Sequence, residues 1–445
     1  MQDSTLLGLP KLRPLLITPE SAVLIFSKIR CIHPMSHLSI PHHLNPDGKS
    51  KTSRTSYLLT PLLSGLFCLY VLSGLIGFIQ TASMGKTGSG IFVATVIGLL
   101  FFLIEAFLPR RRYKLVDNLI GVLSLGLLLN PIINYSDNKR LIIVIIGDLP
   151  QILSGAGVAL FLLRRPLASF VLPFTYFLFG SLVAFFTYFF YNGTDPNEIF
   201  LYLSRNGISR LFIIYSAIFY IITYKLNLRI MVLPAVITFI FSVMSYSRSG
   251  IISSTILLVG ILLITLDENK KKYKFYIYIY MASFFGVLLM FFTGTTRVDI
   301  LKIVYSNAHY FDRLQTRGLS DTGARELIWS RYVAQMDPTK FFFGTDPKLA
   351  FSNLGFGDYH NSFIQLHAMT GIAGLLFILF ILLAIVKLFN LNEMLLLLVL
   401  ISVVSRSFTD TGLFFNWHHG FVVYYLTFFA FLPKSSEALH ICRMN

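Results

Sequence analysis

The chain has 445 residues, of which 55% are hydrophobic and 13% are charged, and its formal net charge is +16. The charged fraction is about half that of an ordinary soluble domain, which excludes a soluble globular protein. The basic residues are spread over many short loops, so the net charge does not indicate nucleic-acid binding. Cys31, Cys68 and Cys442 provide neither a disulfide on the outside nor a metal site.

The N-terminal segment, residues 1–56, is polar, contains several prolines and lacks an apolar core. We expect a disordered cytoplasmic tail, with at most a short interfacial helix around 22–29, rather than a signal peptide or a compact domain. Runs of about 20 apolar residues, the length that crosses a hydrocarbon core of ~30 Å, follow almost to the C-terminus. They do not alternate as barrel strands do, so they predict helices.

The predicted fold is an all-α, polytopic integral membrane protein of about twelve transmembrane helices with one long extracytoplasmic helical loop. Asp148 and Pro150 interrupt the fourth span and predict a kink or a broken helix there. No internal repeat or linker divides residues 57–433, which we treat as one transmembrane domain. The spans are centred in 57–80, 90–108, 115–133, 141–163, 168–191, 208–224, 230–246, 251–266, 273–292, 361–386, 394–404 and 421–432.

The distribution of Lys and Arg predicts the orientation, because basic residues resist translocation. With the N-terminus in the cytoplasm, fifteen of these residues fall in inside loops and seven in short outside loops. The C-terminal tail, 434–445, is then cytoplasmic, and the loop 293–359 lies outside. The seven outside residues are Lys86, Lys139, Arg140, Arg205, Arg210, Arg248 and Arg406.

The long outside loop has two helical patterns of its own. Apolar residues at helical spacing in 299–315 predict a helix that lies on the membrane or on the bundle. A second helix is expected to follow Asp321 and Thr322, which suit an N-cap, and to run to about Met336, before Asp337 and Pro338 stop it.

The second of these helices has a polar and aromatic face. Arg325 and Trp329 are four residues apart and therefore share that face, with Tyr332 beside them. Turns are expected at Gly344, Gly355 and Gly357, before the chain enters the next span.

Arginines on the outside, at the membrane surface, could bind a lipid-linked diphosphate, because planar guanidinium groups pair with phosphates by charge-assisted hydrogen bonds. Arg248 and Arg325 are the best candidates. Arg248 begins a span between Ser247 and Ser249, so hydroxyls, N–H groups and the helix dipole would face the same anion. The alternative for Arg248 is an arginine that only extends to water.

His360 precedes another span and is a candidate proton acceptor near neutral pH. The alternative is a structural histidine that pairs with a carbonyl group or with Asp358. Asn361 and Gln365 on the same predicted helix are candidates for binding sugar hydroxyls, although polar residues at an interface are equally often anchors.

These residues together resemble the signature region of the bacterial O-antigen ligase and O-antigen polymerase superfamily. The resemblance covers residues 230–383, about a third of the chain. The resemblance lies in the order, the spacing and the shared outside placement of four sequence elements. The elements are Ser247-Arg248-Ser249-Gly250 at the start of a span, Arg325 followed by Trp329, a turn near Gly344, and His360-Asn361 leading into a span with Gly371 and Gly374.

The resemblance implies a membrane glycosyltransferase of the inner membrane that uses a glycan linked to polyprenyl diphosphate, such as undecaprenyl diphosphate, on the periplasmic face. It implies no metal and no nucleotide sugar, and it implies partners such as a chain-length regulator. Arg248 and Arg325 would bind and stabilise the leaving diphosphate, assisted by Ser247 and Ser249, and His360 would activate the acceptor. Asn361, Gln365 and Trp329 would contact the acceptor or sugar.

Several functions remain open from the sequence. A polymerase would extend lipid-linked repeat units, whereas a ligase would attach a finished chain to lipid A core. The subfamily stays open because no second arginine-rich outside loop, which polymerases often have, follows Arg248. A transporter would need ionisable residues in mid-membrane, which only Asp148 approaches, and a non-catalytic scaffold or receptor is the remaining alternative.

Overall fold

The computed structural model describes residues 54–85, 88–107, 114–134, 138–192, 194–202, 206–266, 324–345, 360–410, 414 and 417–432. All regular elements among these residues are helices. They are α1 (Arg54–Met84), α2 (Ser89–Phe107), α3 (Lys114–Asn134), α4 (Asn138–Ile143), a π-helical turn (Val144–Asp148), α5 (Leu149–Arg164), α6 (Val171–Tyr191), α7 (Asn206–Lys225), α8 (Leu233–Met244), α9 (Arg248–Leu266), α10 (Ala324–Ala334), α11 (Pro338–Phe343), α12 (Ser362–Thr370), α13 (Ile372–Asn390), α14 (Met394–Ser407) and α15 (Trp417–Ala430).

The described helices are those of a multi-pass membrane protein. Eight helical segments within the described residues are long and apolar enough to cross a membrane. Large apolar side chains are exposed on the outer helices. Such exposure would be unfavourable in water and is expected for side chains that contact lipid. The exposed side chains include Leu62, Phe92, Leu125, Phe177 and Leu382.

The predicted twelve spans are matched in part. The eight long segments correspond to predicted spans, and three further spans correspond to shorter apolar helices, Leu233–Met244, Met394–Ser407 and Gly420–Ala430. The predicted span 273–292 lies outside the described residues, as do residues 1–53, the C-terminal tail 434–445 and most of the loop 293–359. Residues 54–56, which were predicted as part of the N-terminal tail, belong to α1. The helix predicted in 299–315 and the turns at Gly355 and Gly357 also lie outside them.

The interruption predicted in the fourth span is the π-helical turn Val144–Asp148. Pro150 follows as the second residue of α5, where it provides no N–H for an intrahelical bond but does not end the helix. The helical path therefore continues from Leu141 to Arg164 without a break.

The tenth predicted span, 361–386, is two helices rather than one. Gly371 separates α12 from α13 and has a φ of +58°, a conformation that favours glycine. The backbone of α11 lies close to this break, since a Cβ atom on Gly371 would be 2.1 Å from the carbonyl oxygen of Phe342. Hydropathy could not reveal the break because both halves are apolar.

Helix α7 is the centre of the bundle. Its residues are buried without interruption from Gly207 to Thr223, as expected for a helix that is surrounded by other helices. It packs against α6, α8 and α14, while α14 also packs against α9. All residues of α14 are buried, so this 14-residue helix is covered by protein along its length.

The bundle has two ends that are defined by hydrogen bonds between helices α7 and α14. At one end, Arg406 Nη2 donates to the carbonyl oxygen of Asn206 at 2.7 Å. At the other end, Tyr224 Oη donates to Glu393 Oε2 at 2.8 Å. The two helices are therefore antiparallel and in register.

Helix α1 connects the same two ends. Phe78 lies at the first end, with the Arg210 guanidinium carbon 5.5 Å from its ring centroid. Ser64 lies at the other end, where its hydroxyl accepts a hydrogen bond from the backbone N–H of Ala168 at 2.9 Å. We call the end that holds Arg210 and Arg406 the arginine end.

Candidate functional site

A buried polar cluster lies at the arginine end, where α7 and α9 begin and α14 ends. We define the arginine cluster as Arg210, Ser247, Ser249, Arg406 and Asp410. Each of the two arginines and two serines is less than 9% exposed, and the Asp410 side chain is 15% exposed. Such a concentration of polar groups in an apolar bundle requires mutual pairing, because an unpaired buried charge is costly.

Arg406 is the centre of the cluster and is only 1% exposed. Its Nη1 donates to Ser247 Oγ at 3.1 Å and also to Ser249 Oγ. Its Nη2 donates to the carbonyl oxygen of Asn206 and forms an ion pair with Asp410 Oδ2 at 3.2 Å. One guanidinium group therefore joins the start of α7, the start of α9 and the segment after α14.

Asp410 adds a second contact with α7 and links this cluster to one further helix, α12. Its Oδ1 lies 3.6 Å from Nη1 of Arg210 on α7, which completes an arginine–aspartate–arginine arrangement. Its backbone oxygen accepts a hydrogen bond of 2.6 Å from Ser362 Oγ at the start of α12. The helix that follows His360 is thereby fixed to the arginine cluster.

The motif at residues 247–250 begins α9, as the sequence predicted. The Ser247 hydroxyl accepts from the N–H of Gly250 at 3.2 Å and so caps the helix. Arg248 is the first residue of α9 and is half-buried. The hydroxyls of Ser247 and Ser249 both accept hydrogen bonds from Arg406, so in this structure they contact a neighbouring cation.

His360 lies directly before the N-cap of α12 and is half-buried. Its φ of +49° places it in the left-handed region, which is uncommon for a residue other than glycine. Asn361 caps α12, because its Oδ1 accepts from the N–H groups of Phe363 and Ile364 at 2.9 and 3.1 Å. Gln365 follows in the first turn and is half-buried. The Asn361 oxygen is thus occupied by the cap.

Arg325 lies in the first turn of α10, and its side chain is outside the described residues. Trp329 is half-buried and packs against a small apolar cluster of Ile328, Tyr332 and Ala368. Since Ala368 belongs to α12, helix α10 lies against the helix that follows His360. The structure therefore brings the Arg325 helix and His360 to the same region.

A histidine fixes this arrangement. Tyr332 Oη is hydrogen-bonded to His367 Nδ1, and His367 Nε2 is 3.0 Å from the carbonyl oxygen of Phe341. The carbonyl must accept, so Nε2 carries the proton and Nδ1 accepts from the tyrosine. His367 is thus fully paired in the neutral form and joins α10 and α11 to α12.

Helix α11 replaces the simple stop predicted after Met336. Asp337 caps α11 by accepting from the N–H of Lys340 at 2.8 Å. The hydrogen bonds from the side chain and backbone of Lys340 hold the pKa of the Asp337 carboxyl below its ordinary value. Gly344 then turns the chain with a φ of +83°, as predicted.

Helix α3 anchors the segment that follows α11. Asn130 Nδ2 donates to the carbonyl oxygens of Phe343 and Ala368 at 2.8 and 2.9 Å. Asn134 Nδ2 donates to that of Gly344 at 3.1 Å. Side chains from a distant span thus fix both α11 and α12 at the arginine end.

Sequence reasoning did not identify Arg406, Asp410 and Arg210 as site residues. It counted the two arginines only as basic residues of outside loops and did not consider Asp410. A usable signal was present, since Arg406 and Asp410 are four residues apart at the end of an apolar span. That spacing suits an ion pair.

Arg210, Arg248, Arg406 and Asp410 together carry three positive charges and one negative charge, a surplus of two positive charges. This local surplus of positive charge would attract an anion. Comparison of the chain with protein-family models, with curated proteins and with solved structures found no match.

Proposed function

We propose that the chain is a membrane glycosyltransferase of the O-antigen ligase and polymerase type. It would transfer a glycan from a polyprenyl diphosphate carrier to an acceptor hydroxyl, and would polymerise lipid-linked repeat units. One observation carries the proposal: Arg406 and Asp410 join the start of α9, where Arg248 lies, to the start of α12, which follows His360. Two motifs that are over 100 residues apart are thereby held at one end.

The chemistry assigns a role to each motif. The acceptor hydroxyl loses its proton to His360, and its oxygen attacks the anomeric carbon of the donor sugar. The bond from that carbon to the diphosphate oxygen breaks, and the polyprenyl diphosphate leaves with the bonding electrons. Arg248 and Arg325 would stabilise the negative charge that develops on the leaving group. Attack from the opposite face implies inversion at the anomeric carbon.

The location of the site follows the same proposal. The arginine end would face the periplasm and the opposite end the cytoplasm of a bacterial inner membrane. This orientation agrees with the excess of basic residues in the predicted inside loops. The headgroup level is also where the diphosphate of a lipid carrier lies, within reach of residues that begin a span.

The ligase activity is the alternative within the same chemistry. It would use the same donor and the same arginines, and only the acceptor would be lipid A core instead of a second repeat unit. Deletion of the gene distinguishes the two activities. Single repeat units that persist without polymer indicate a polymerase, whereas accumulated lipid-linked polymer indicates a ligase.

The break at Gly371 is the observation that favours a transporter, because discontinuous helices line many transport sites. The break does not need that explanation, since the packing of α11 against Gly371 accounts for it. Transport also requires ionisable groups in mid-membrane, whereas the arginine cluster lies at a helix end. We therefore rank transport below glycan transfer.

The arginine substitutions test the proposal. Lysine retains the charge but cannot reproduce the two parallel hydrogen bonds of a guanidinium group with a phosphate. Arg248→Lys and Arg325→Lys should each lower the rate of glycan transfer by about 10²-fold or more, the usual effect of removing a donor to a developing anion. The measurement is the chain-length distribution of lipid-linked glycan in cells that lack the native copy.

Arg331→Lys is the matched control, since Arg331 is exposed on α10, the helix of Arg325. This variant should produce glycan of normal length and amount. Normal glycan from both Arg248→Lys and Arg325→Lys would contradict the proposed function.

A further inference from the structure

We propose that Arg406 is a positioning residue that holds the start of α9 so that Arg248 faces the diphosphate of the donor. The inference rests on the proposed function, because it concerns the same site. It adds to that function a residue that would not touch the substrate, together with the contact through which it would act.

Two of the contacts of Arg406 are with the residues on either side of Arg248. Nη1 of Arg406 bonds to the hydroxyls of Ser247 and Ser249, the residues on either side of Arg248. Ser247 is also the cap of α9, and it donates to Asn206 Oδ1 at 2.9 Å. The backbone of Arg248 is thus fixed by hydrogen bonds immediately before and after it.

The shape of the guanidinium group makes these contacts possible. The two terminal nitrogens of Arg406 contact four groups at once: two serine hydroxyls, the carbonyl oxygen of Asn206 and the carboxylate of Asp410. A lysine has one nitrogen with three protons and cannot reach all four. Lysine at this position would retain the ion pair and lose the contacts with α9.

The burial of Arg406 indicates a role other than stabilisation of the folded protein. Removal of a cation from water is costly, and an apolar residue often stabilises a protein interior as well or better. Arg406 is nevertheless 1% exposed, and its partners belong to the segments that begin α7 and α9. Asp410 in turn bonds to Ser362 near His360. The cluster therefore orders the proposed donor-binding and acceptor-activating residues.

The test is a double-mutant cycle on the binding of farnesyl diphosphate, a short polyprenyl diphosphate, to the purified full-length protein in detergent. Arg248→Ala and Arg406→Lys should each raise the dissociation constant about tenfold or more. If Arg406 acts through Arg248, the double variant should bind no more than twofold more weakly than Arg248→Ala. If the effect of Arg406→Lys were merely structural, the substitution would weaken binding by the same factor in the native protein and in Arg248→Ala.

Arg165→Lys is the matched control. Arg165 is 8% exposed, and its Nε lies 2.8 Å from Glu105 Oε1, so it is another buried arginine in an ion pair. It lies near Ala168, at the end opposite to the arginine end. The Arg165→Lys variant should lose thermal stability to an extent similar to Arg406→Lys and bind farnesyl diphosphate as the native protein does.

Asp410→Asn keeps the test decisive if Arg406→Lys does not fold. This isosteric change weakens the pairing of Arg406 and should raise the dissociation constant in the native background, with no further effect in the Arg248→Ala background. Native binding by the folded Arg406→Lys or Asp410→Asn variant, or additive effects in the cycle, would overturn the positioning role. Native binding by Arg248→Ala would instead refute the proposed function.

Discussion

At the residue scale, His360 combines an unusual backbone with a position at a helix start. A left-handed conformation in a residue other than glycine costs about 1 kcal/mol or more and is concentrated at functional sites. Asn361 immediately after it caps α12, and Ser362 bonds to Asp410. The imidazole is therefore carried by a backbone segment that is fixed on its C-terminal side.

His360→Gln tests whether His360 accepts a proton. Glutamine can hydrogen-bond an acceptor hydroxyl but cannot take its proton at neutral pH. We expect His360→Gln and His360→Ala each to lower turnover by roughly 10² to 10⁴, while farnesyl diphosphate still binds.

His367→Gln is a useful contrast in the same assay, because His367 is paired with Tyr332 and Phe341. It should lower the thermal stability of the protein without the loss of turnover that is expected of His360→Gln. Near-native turnover by His360→Gln would show that His360 only positions the acceptor, and the two arginines would then carry the catalysis.

At the element scale, the break between α12 and α13 places α11 against the bundle. Gly371 has a φ of +58°, and its Cα faces the backbone of α11. Gly371→Ala should therefore destabilise the protein by more than the ~1 kcal/mol of the strained conformation alone, because the methyl group would collide with a carbonyl oxygen. The measurement is the thermal midpoint and the monodisperse yield in detergent.

Gly180→Ala is the matched control for this change. Gly180 lies inside α6, and a Cβ atom there would meet nothing within 4 Å. Its midpoint should equal or slightly exceed that of the native protein, since alanine favours a helix more than glycine does. Equal midpoints for Gly371→Ala and the native protein would contradict the packing of α11 against the break.

The sequence predicted many elements well and the site only in part. Length and hydropathy located the long spans, because a run of about twenty apolar residues is typical of a helix that crosses a membrane. They merged α12 with α13, since hydropathy is insensitive to a turn between two apolar segments. The caps at Ser247 and Asn361 lie where the motifs were recognised. Arg406 was missed because, apart from Asp410, its partners come from distant segments of the chain.

At the scale of the whole molecule, the two ends of the bundle differ in chemistry. The arginine end holds the paired charges of Arg210, Arg406 and Asp410, and the start of α12, which follows His360, is bonded to it through Ser362. The opposite end holds the pair of Tyr224 and Glu393 and the buried ion pair of Arg165 with Glu105. The proposed function requires that the arginine end face the outside.

Cysteine labelling tests this orientation. Glu198 is exposed near the arginine end, where the N–H of Tyr202 bonds to the carbonyl oxygen of Ala82. Arg229 is exposed beyond the opposite end of α7. In a background without Cys31 and Cys442, a membrane-impermeant thiol reagent added outside should label Glu198→Cys and should not label Arg229→Cys.

Labelling of both positions after the cells are permeabilised is the control for accessibility. The reverse pattern in intact cells would place the arginine end in the cytoplasm. The lipid-linked donor would then be on the wrong side, and the proposed function would be contradicted.

Reconstitution of the purified protein tests glycan transfer most directly. Proteoliposomes should be supplied with a polyprenyl diphosphate that carries one oligosaccharide repeat, with or without lipid A core as a second acceptor. We predict a longer glycan, formed without metal or nucleotide sugar, and one polyprenyl diphosphate released for each bond made, with both products reduced about 10²-fold or more in Arg248→Lys. Transfer to lipid A core alone would identify the ligase form of the same reaction. Movement of the intact donor across the bilayer, with no new glycosidic bond and no released diphosphate, would contradict the account.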